Sequence, residues 1–346
     1  MFLSVAVPIL VLALLIIVHE FGHFLLARTV GIHVEEFSVG FGPTLFKFCP
    51  EGRGTTYSLR LVPLGGFVRM AGMERGDDHP QGFNKKPLRD RIAVISAGPL
   101  MNFLLAVVLF VFTFSFIGIP VLSDLPVVGD VIPGSPAEHA GIRPGDRIVQ
   151  VGDVKIEKWE EIAANVQNRV NQKTLFLIER NGKIYRFSIT PQPNPETGVG
   201  FIGIRQGVVW EKQGFLQAVK LGLVRSLEFA SMILHGLLGM VTGSVSPEEI
   251  AGPVGITKMI GEAAQVGVGY LLTFTAILSI NFALINLLPI PALDGSRLVF
   301  LLIEGIRGKP VDPDKENFIH LVGFALLMFL IILITYNDLL RILTGD

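Results

Sequence analysis

The residues that could do chemistry are concentrated in one short sequence, His19-Glu20-Phe21-Gly22-His23, at the end of an uncharged apolar run. On a helix, His19 and His23 are four residues apart and share a face, so both imidazoles can reach one zinc ion. Glu20 lies beside them and is suited to act as a general base. Because ionisable groups are costly in hydrocarbon, a metal partner is the economical compensation. The pattern predicts a zinc protease site built into a membrane; the alternative is two structural histidines at a helix end.

A catalytic zinc site needs a third protein ligand and keeps a fourth position open. Asp294 is the candidate, because it is the only acidic residue in the 41 positions between Glu262 and Glu304. Pro289 and Pro291 must break or kink the apolar span before it, which frees backbone groups that lipid cannot satisfy. We therefore expect Asp294 in a cavity lined by protein. The alternative is a helix cap in an interfacial loop.

Composition indicates an integral membrane protein, because 50% of the residues are apolar and only 17% are charged. The expected fold class is an α-helical polytopic membrane protein with about four transmembrane helices. The stretches long enough to span a bilayer are residues 2–27, 92–119, 263–293 and 317–337. Residues 215–241 carry a polar line along one side, so we expect a surface amphipathic helix there, a true span being the alternative.

The distribution of Lys and Arg orients the spans. Residues 28–91 hold 10 Lys and Arg residues, so this loop is expected to be cytoplasmic and both termini outside. With residues 215–241 at the surface, the third span runs inward and brings Asp294 to the same face as His19 and His23. If that segment crossed the membrane, Asp294 would finish on the opposite side. The net charge of −1 argues against nucleic acid as a partner.

Strand-like apolar runs lie on both sides of Gly65-Gly66, within residues 57–70. They predict a membrane-associated cytoplasmic β-hairpin with its turn at these glycines, followed by Phe67. A helical substrate has no free carbonyl, so a protease of transmembrane segments must first unwind one. The exposed edge of the hairpin is expected to bind the extended substrate by strand addition. The alternative is a structural hairpin that plugs the site.

Residues 120–206 are soluble in character and resemble one circularly permuted bacterial PDZ domain, an inserted α+β domain expected on the extracytoplasmic side. A helix at 159–170 and a hairpin turning at Asn181-Gly182 are expected. The loop Gly200-Phe201-Ile202-Gly203 resembles the PDZ loop whose amides receive a chain-terminal carboxylate, which makes peptide C-termini candidate partners. The alternative is a size filter that blocks bulky ectodomains.

Nearly the whole chain resembles the site-2 protease family of intramembrane zinc metalloproteases (peptidase family M50), closest to its bacterial regulator-of-sigma-E type. The motifs that carry the resemblance are the HEFGH sequence, Asn281 and Asn286 before the Leu293-Asp294-Gly295 motif, the sequence at 63–68, Phe83-Asn84, and Ala97-Gly98-Pro99 with Asn102. The resemblance implies that His19, His23 and Asp294 bind Zn²⁺ and that Glu20 activates water. It also implies that Asn281 and Asn286 hold the substrate backbone, unless they are interhelical hydrogen-bonding residues. The chain has room for one PDZ module where that type carries two.

The resemblance implies a zinc endopeptidase of a bacterial inner membrane that cleaves single-pass membrane proteins within the lipid bilayer, such as anti-sigma factors or remnant signal peptides. The expected regions are 1–119 with two spans and the hairpin, 120–206, a linker with the surface helix at 207–262, and 263–346 with the last spans. One rival is a silent membrane-anchored PDZ receptor, which the intact HEFGH sequence and Asp294 argue against. The other is a zinc transporter, which needs polar residues along several spans. The remaining histidines lack ligand spacing and are expected at surfaces or interfaces: His33, His79, His139, His235 and His320.

Overall fold

The computed structural model describes residues 2–50, 54–73, 77–195, 197–244 and 252–344. The chain divides into two compact units, which we call the helical unit (Met1–Ser115 with Gly214–Asp346) and the inserted unit (Phe116–Gln213). In chain order the elements are α1 (Phe2–Thr29), β1 (Val34–Phe48), β2 (Thr56–Met70), α2 (Leu88–Phe112), β3 (Ile119–Leu122), β4 (Val128–Val131), α3 (Pro136–Ala140), β5 (Arg147–Val151), β6 (Val154–Lys155), α4 (Trp159–Gln167), β7 (Thr174–Arg180), β8 (Lys183–Ile189), β9 (Gln192–Pro193), β10 (Gly200–Phe201), β11 (Ile204–Gln206), β12 (Val208–Glu211), α5 (Phe215–Thr242), α6 (Pro253–Val266), α7 (Val268–Leu287), α8 (Asp294–Arg307) and α9 (Pro313–Thr344).

Within the described residues, five helices are long and apolar enough to cross a membrane: Ala6–Thr29, Leu88–Ile117, Phe215–Met240, Val268–Leu287 and Asp314–Leu340. The expected count of four is therefore not confirmed. The additional candidate is the segment for which the sequence predicts a surface helix, and its mean hydropathy of 1.4 is the lowest of the five. Length and composition alone do not distinguish a lipid-facing surface helix from a span.

The helical unit is assembled around α1. Gly22 allows α2 to approach closely, because a methyl group at this position would lie 2.4 Å from the carbonyl oxygen of Ala97. Nearer the N-terminus of α1, Leu15 is fully buried in a cluster with Ile260 of α6 and Leu278 of α7. Helix α1 thus packs against three helices on one face, and His19 and His23 near its C-terminal end are buried on that face.

Strands β1 and β2 pair with each other, and the turn expected at Gly65-Gly66 is wrong. Residues 36–39 of β1 pair with 56–59 on one side and with 66–69 on the other, so the two halves of β2 flank β1 and do not pair with each other. Gly65 has φ +135°, and a methyl group there would overlap the ring of Phe41. The glycine therefore permits a bend in β2 and not a hairpin turn.

A buried carboxylate fixes the arrangement of this sheet. Glu36 accepts hydrogen bonds from the Ser58 hydroxyl at 2.6 Å, from Arg60 at 2.8 Å and from Arg69 at 2.8 Å. Burial alone would raise the pKa of Glu36, but the hydrogen bonds from Ser58 and Arg60 outweigh it and hold that pKa below its ordinary value. Because the donors come from both halves of β2, one side chain ties the three paired segments together.

The inserted unit contains a four-stranded sheet in the order β6-β5-β7-β8 and short two-stranded pairs. Its ends meet, because β3 pairs with β12 in antiparallel register. The hairpin between β7 and β8 is present as predicted, with Asn181 at φ 52° and Gly182 at φ 74°, the conformation that two-residue hairpin turns require. Phe176 and Ile178 of β7 are fully buried in its core, and Arg180 donates two hydrogen bonds to the buried carboxylate of Asp146.

Candidate metal centre

The two histidines of the HEFGH sequence lie on one face of α1 and point at α2. Both are buried, with 9% of His19 and 6% of His23 exposed. Their Nε2 atoms are 3.2 Å apart. The α2 residue opposite them is Gly98, where a methyl group would lie 2.3 Å from His23 Nε2 and 2.8 Å from His19 Nε2. The absence of a side chain at Gly98 therefore leaves the space into which both imidazoles project.

Asp294 is the first residue of α8 and lies at the same point. Its Oδ2 atom is 3.0 Å from His19 Nε2 and 3.2 Å from His23 Nε2. The loop that presents it contains Pro289 and Pro291, which prevent α7 from continuing. Within the described residues these three side chains form the one group of at least three His, Cys, Asp or Glu residues whose ligand atoms are close enough to hold a metal ion.

A hydrogen bond fixes which nitrogen of His23 faces this point. His23 Nδ1 donates to the backbone carbonyl of Val94 at 2.8 Å. The proton is then on Nδ1, so Nε2 keeps its lone pair for a metal. Such a partner on the second ring nitrogen is typical of metal-bound histidines, because it sets both the tautomer and the orientation of the ring.

The three atoms have the spacing of zinc ligands. A tetrahedral zinc ion with bonds of about 2.0–2.1 Å requires its ligand atoms to be about 3.3 Å apart. The observed separations are 3.0, 3.2 and 3.2 Å. Two imidazoles and one carboxylate are also the donor set of catalytic sites, which leave the fourth position open. The residues present therefore fit a zinc ion.

Glu20 lies beside this group and contacts the sheet. Its carboxylate lies beside the backbone amide of Val68. Its Cγ atom is 3.3 Å from where a methyl group at Gly66 would lie. Since Glu20 follows His19 directly, it points about 100° away from the histidine face of α1. Residues 66–69 of β2, paired with β1 along one edge, thus lie next to the glutamate and near the ligand atoms.

The residues expected to bind substrate occupy two elements. Gly65, Gly66 and Phe67 are in β2, and the Arg60 guanidinium lies 5.0 Å from the centroid of the Phe67 ring. Asn281 and Asn286 are in α7 and are half-buried. Asn286 donates a hydrogen bond to the Phe282 carbonyl of its own helix at 3.0 Å. Its amide nitrogen is therefore engaged within α7.

The glycine-containing loop of the inserted unit is tightly packed. Gly200 and Phe201 form β10, Ile202 O accepts the Ala137 amide at 2.8 Å, and Gly203 has φ +85°. A cavity of about 210 Å³ lies between this segment and α4. A methyl group at Gly200 would lie 2.2 Å from the carbonyl oxygen of Val166, so strand and helix are in backbone contact at this point.

Two further residues belong to the surroundings of the metal centre. His320 of α9 accepts a hydrogen bond from the backbone amide of Ala292, two residues before Asp294. Nothing in the amino-acid sequence distinguishes His320 from the other histidines without ligand spacing. Asn102 of α2 is completely buried, and its backbone carbonyl accepts the Ser279 hydroxyl of α7 at 2.7 Å. The motif around Gly98 indicated Asn102. No spacing rule links His320 to a loop 28 residues away.

A centre of two buried histidines and one half-buried carboxylate, held among apolar helices long enough to span a bilayer, defines a membrane metalloenzyme of the hydrolytic type.

Comparisons with known proteins identify the family. The model of peptidase family M50 matches residues 7–330. A relative from Clostridium acetobutylicum is 37% identical over 337 residues, covering 97% of this chain and 97% of its own length. The zinc metalloprotease RasP of Geobacillus kaustophilus is 35% identical over 412 residues and covers 96% of each chain. The regulator of sigma-W protease RasP of Bacillus subtilis is 32% identical over 415 residues, covering 96% of this chain and 97% of its own.

The chain therefore belongs to peptidase family M50, the site-2 proteases, and is a zinc metalloprotease with several membrane-spanning helices. Among solved structures, the PDZ domain of an SdrC-like protein from Listeria monocytogenes matches 25% of this chain and 93% of its own, at 19% identity and a TM-score of 0.22. That likeness is too slight to assign the fold of the inserted unit.

Proposed function

We propose that this chain is a zinc-dependent endopeptidase that cleaves transmembrane segments of single-pass membrane proteins inside the bilayer. The observation that carries the proposal is the convergence of His19, His23 and Asp294 to within 3.2 Å of one another in a bundle of apolar helices, with Glu20 beside them. A hydrolytic site in this position serves a substrate that is itself in the membrane.

The three ligand residues hold the metal, and Glu20 moves protons. Bound at His19, His23 and Asp294, zinc supplies Lewis-acid activation of water and of the scissile carbonyl. Glu20 accepts the proton of the attacking water and later passes it to the leaving amine. The Val68 amide, which lies beside this carboxylate, is proposed to orient it for both transfers.

The substrate must be extended where it is cut, because the carbonyls of a helix are hydrogen-bonded internally. Residues 66–69 of β2 pair with β1 along one edge, and Gly66 lies against the Glu20 side chain, which supports strand addition by the unwound segment. In the alternative role the same segment plugs the site and moves aside for substrate. Asn281 and Asn286 are proposed to bind the freed substrate backbone. The one hydrogen bond that the Asn286 side chain makes in the described residues is to its own helix, so it gives no support to the alternative of an interhelical hydrogen bond.

The inserted unit is proposed to be a PDZ module that controls access to the active site. Its cavity between α4 and residues 199–204 is the candidate site for a peptide C-terminus. In the alternative role the unit is a size filter that excludes a bulky ectodomain. The proposed topology has both termini and this unit outside, with the metal centre near the cytoplasmic face, as the Lys and Arg distribution indicates.

The proposed setting is the inner membrane of a bacterium. A relative named as a regulator of sigma-W protease favours anti-sigma factors as substrates, and remnant signal peptides are the second candidate. Both are short single-pass segments once another protease has removed their ectodomain. This order of events fits a site that acts on a chain already confined to the membrane.

The test compares purified parent and Glu20→Gln proteins on a labelled model transmembrane segment. The variant keeps the size of the side chain and removes its ability to accept a proton, so zinc content should equal that of the parent while turnover falls by about 10²- to 10⁴-fold. Glu160→Gln, an exposed position of the inserted unit, is the matched control and should be fully active. Turnover of Glu20→Gln within a few-fold of the parent would refute the mechanism.

A further inference from the structure

The loop that presents Asp294 contains a strained residue and two prolines. Pro289 and Pro291 supply no amide hydrogens, and Ala292 has φ +78°, a left-handed conformation that residues other than glycine adopt only when their surroundings impose it. Within the loop, Ile290 N donates to Leu288 O at 2.7 Å and Leu293 N donates to Ile290 O at 3.1 Å, but no loop residue accepts the amide hydrogen of Ala292 in the described part of the chain. The strained residue two positions before Asp294 is therefore held by a neighbouring element.

That element is α9, which contacts the loop at two places one helical turn apart. His320 Nδ1 accepts the Ala292 amide hydrogen at 3.1 Å. Gly323 lies against Pro291, where a methyl group on Gly323 would lie 2.0 Å from the proline Cβ atom. The ring of His320 is itself held by an edge contact with Phe300, at 5.7 Å between centroids. The strained residue and the proline beside it are thus fixed from outside the loop.

We propose that His320 is a positioning residue for the metal centre: by accepting the Ala292 amide hydrogen it fixes the turn that brings Asp294 to His19 and His23. The inference rests on the proposed role of these three residues as zinc ligands. Because Nδ1 accepts, the imidazole proton is on Nε2, which faces Glu316 Oε1 at 3.7 Å. Metal sites tolerate displacements of only about 0.2 Å, so a small movement of the loop is enough to weaken binding.

The experiment measures zinc affinity by competition with a chelator, without any substrate. His320→Leu fills the space but leaves the Ala292 amide without an acceptor, and the affinity should fall by about 10- to 100-fold, as for other residues that support metal ligands. His320→Asn places a carbonyl oxygen near the position of Nδ1 and should stay within about threefold of the parent. His235→Leu makes the same change at an exposed position of α5 and should leave the affinity unchanged.

A second variant keeps the inference testable if His320→Leu does not fold. Gly323→Ala leaves His320 intact and pushes its methyl group against Pro291, so zinc affinity should fall at least tenfold. Unchanged affinity in Gly323→Ala would overturn the claim that α9 positions the loop.

Three other outcomes separate this inference from the proposed function. Parent-like affinity in His320→Leu would refute the positioning role, and so would an equal loss in His320→Leu and His320→Asn, because the ring and not the acceptor would then matter. Asp294→Ala, measured in the same series, must lose zinc. If it bound zinc like the parent, the metal site itself would be wrong, whatever the His320 variants showed.

Discussion

Gly98→Ala should separate zinc binding from folding. In the structure the added methyl group would lie 2.3 Å from His23 Nε2 and 2.8 Å from His19 Nε2, whereas ordinary contacts begin at 3.4 Å. The His23 ring must then retreat by about 1 Å, several times the roughly 0.2 Å that a metal site tolerates. At least one ligand is lost as a result.

The size of the effect follows from the usual strength of such sites. Four-ligand zinc sites bind with about 10–16 kcal/mol, or roughly 3–4 kcal/mol per ligand, so losing one ligand should weaken affinity by about 10²- to 10³-fold. The metal-free protein should remain folded, because the clashing atoms are the ends of side chains that can rotate away. Alanine is also favoured over glycine within a helix by about 0.8–1 kcal/mol.

The assay is chelator competition for zinc, combined with thermal unfolding of the metal-free protein. Gly236→Ala is the matched control, since no atom of the residues that the structure describes lies within 4 Å of the added methyl group there. Zinc affinity of Gly98→Ala within threefold of the parent would show that the two imidazoles do not converge on a metal at this point, and would refute the geometry on which the mechanism rests.

Three further predictions concern the parts that support the centre. The pKa of Glu36 is lowered from its ordinary value of 4.5, so the stabilisation by its carboxylate is complete above pH 4.5 and is lost as the pH falls through the lower folded-state pKa. The difference in unfolding free energy between the parent and Glu36→Gln, measured by urea unfolding, should therefore shrink in that acidic range. A difference that stays constant with pH would contradict this prediction. Asp338 of α9 accepts hydrogen bonds from two backbone amides at the N-terminus of α6, at 3.1 and 2.8 Å. Asp338→Ala should lower the free energy of unfolding by about 1 kcal/mol and increase hydrogen exchange in α6. Unchanged hydrogen exchange would show that Asp338 does not cap α6. Arg180→Met leaves the buried Asp146 carboxylate without its cation and should destabilise the inserted unit by roughly 3–5 kcal/mol in thermal unfolding; a loss below 1 kcal/mol would mean that water replaces the guanidinium.

Local spacing was enough to predict which side chains of α1 converge, because residues four apart on a helix share a face. Asp294 was predictable for a different reason, since an isolated acid beside two prolines in an apolar segment requires a protein partner. The separations of 3.0 and 3.2 Å agree with that reasoning about proximity. The roles of the three residues as zinc ligands still depend on the affinity measurements above.

Prediction from the sequence was wrong or incomplete where contacts join distant segments. The turn expected at Gly65-Gly66 is absent, because β2 pairs with residues 36–39 of β1, a partner that alternation within residues 57–70 does not reveal. His320 reaches the Asp294 loop only through the packing of α9, which no pattern within α9 encodes. The ambiguity of residues 215–241 has another origin: a helix with one polar line can face lipid from within the membrane or from its surface.

The most direct test of the central claim is to locate the bond that is cut. The purified zinc-loaded protein is incubated in lipid vesicles with a single-pass model substrate, and the products are mapped by mass spectrometry beside a Glu20→Gln sample. The account predicts new termini inside the apolar segment of the substrate, zinc-dependent in the parent and lost with Glu20→Gln. Cleavage confined to the polar flanks, or equal cleavage in both samples, would contradict it.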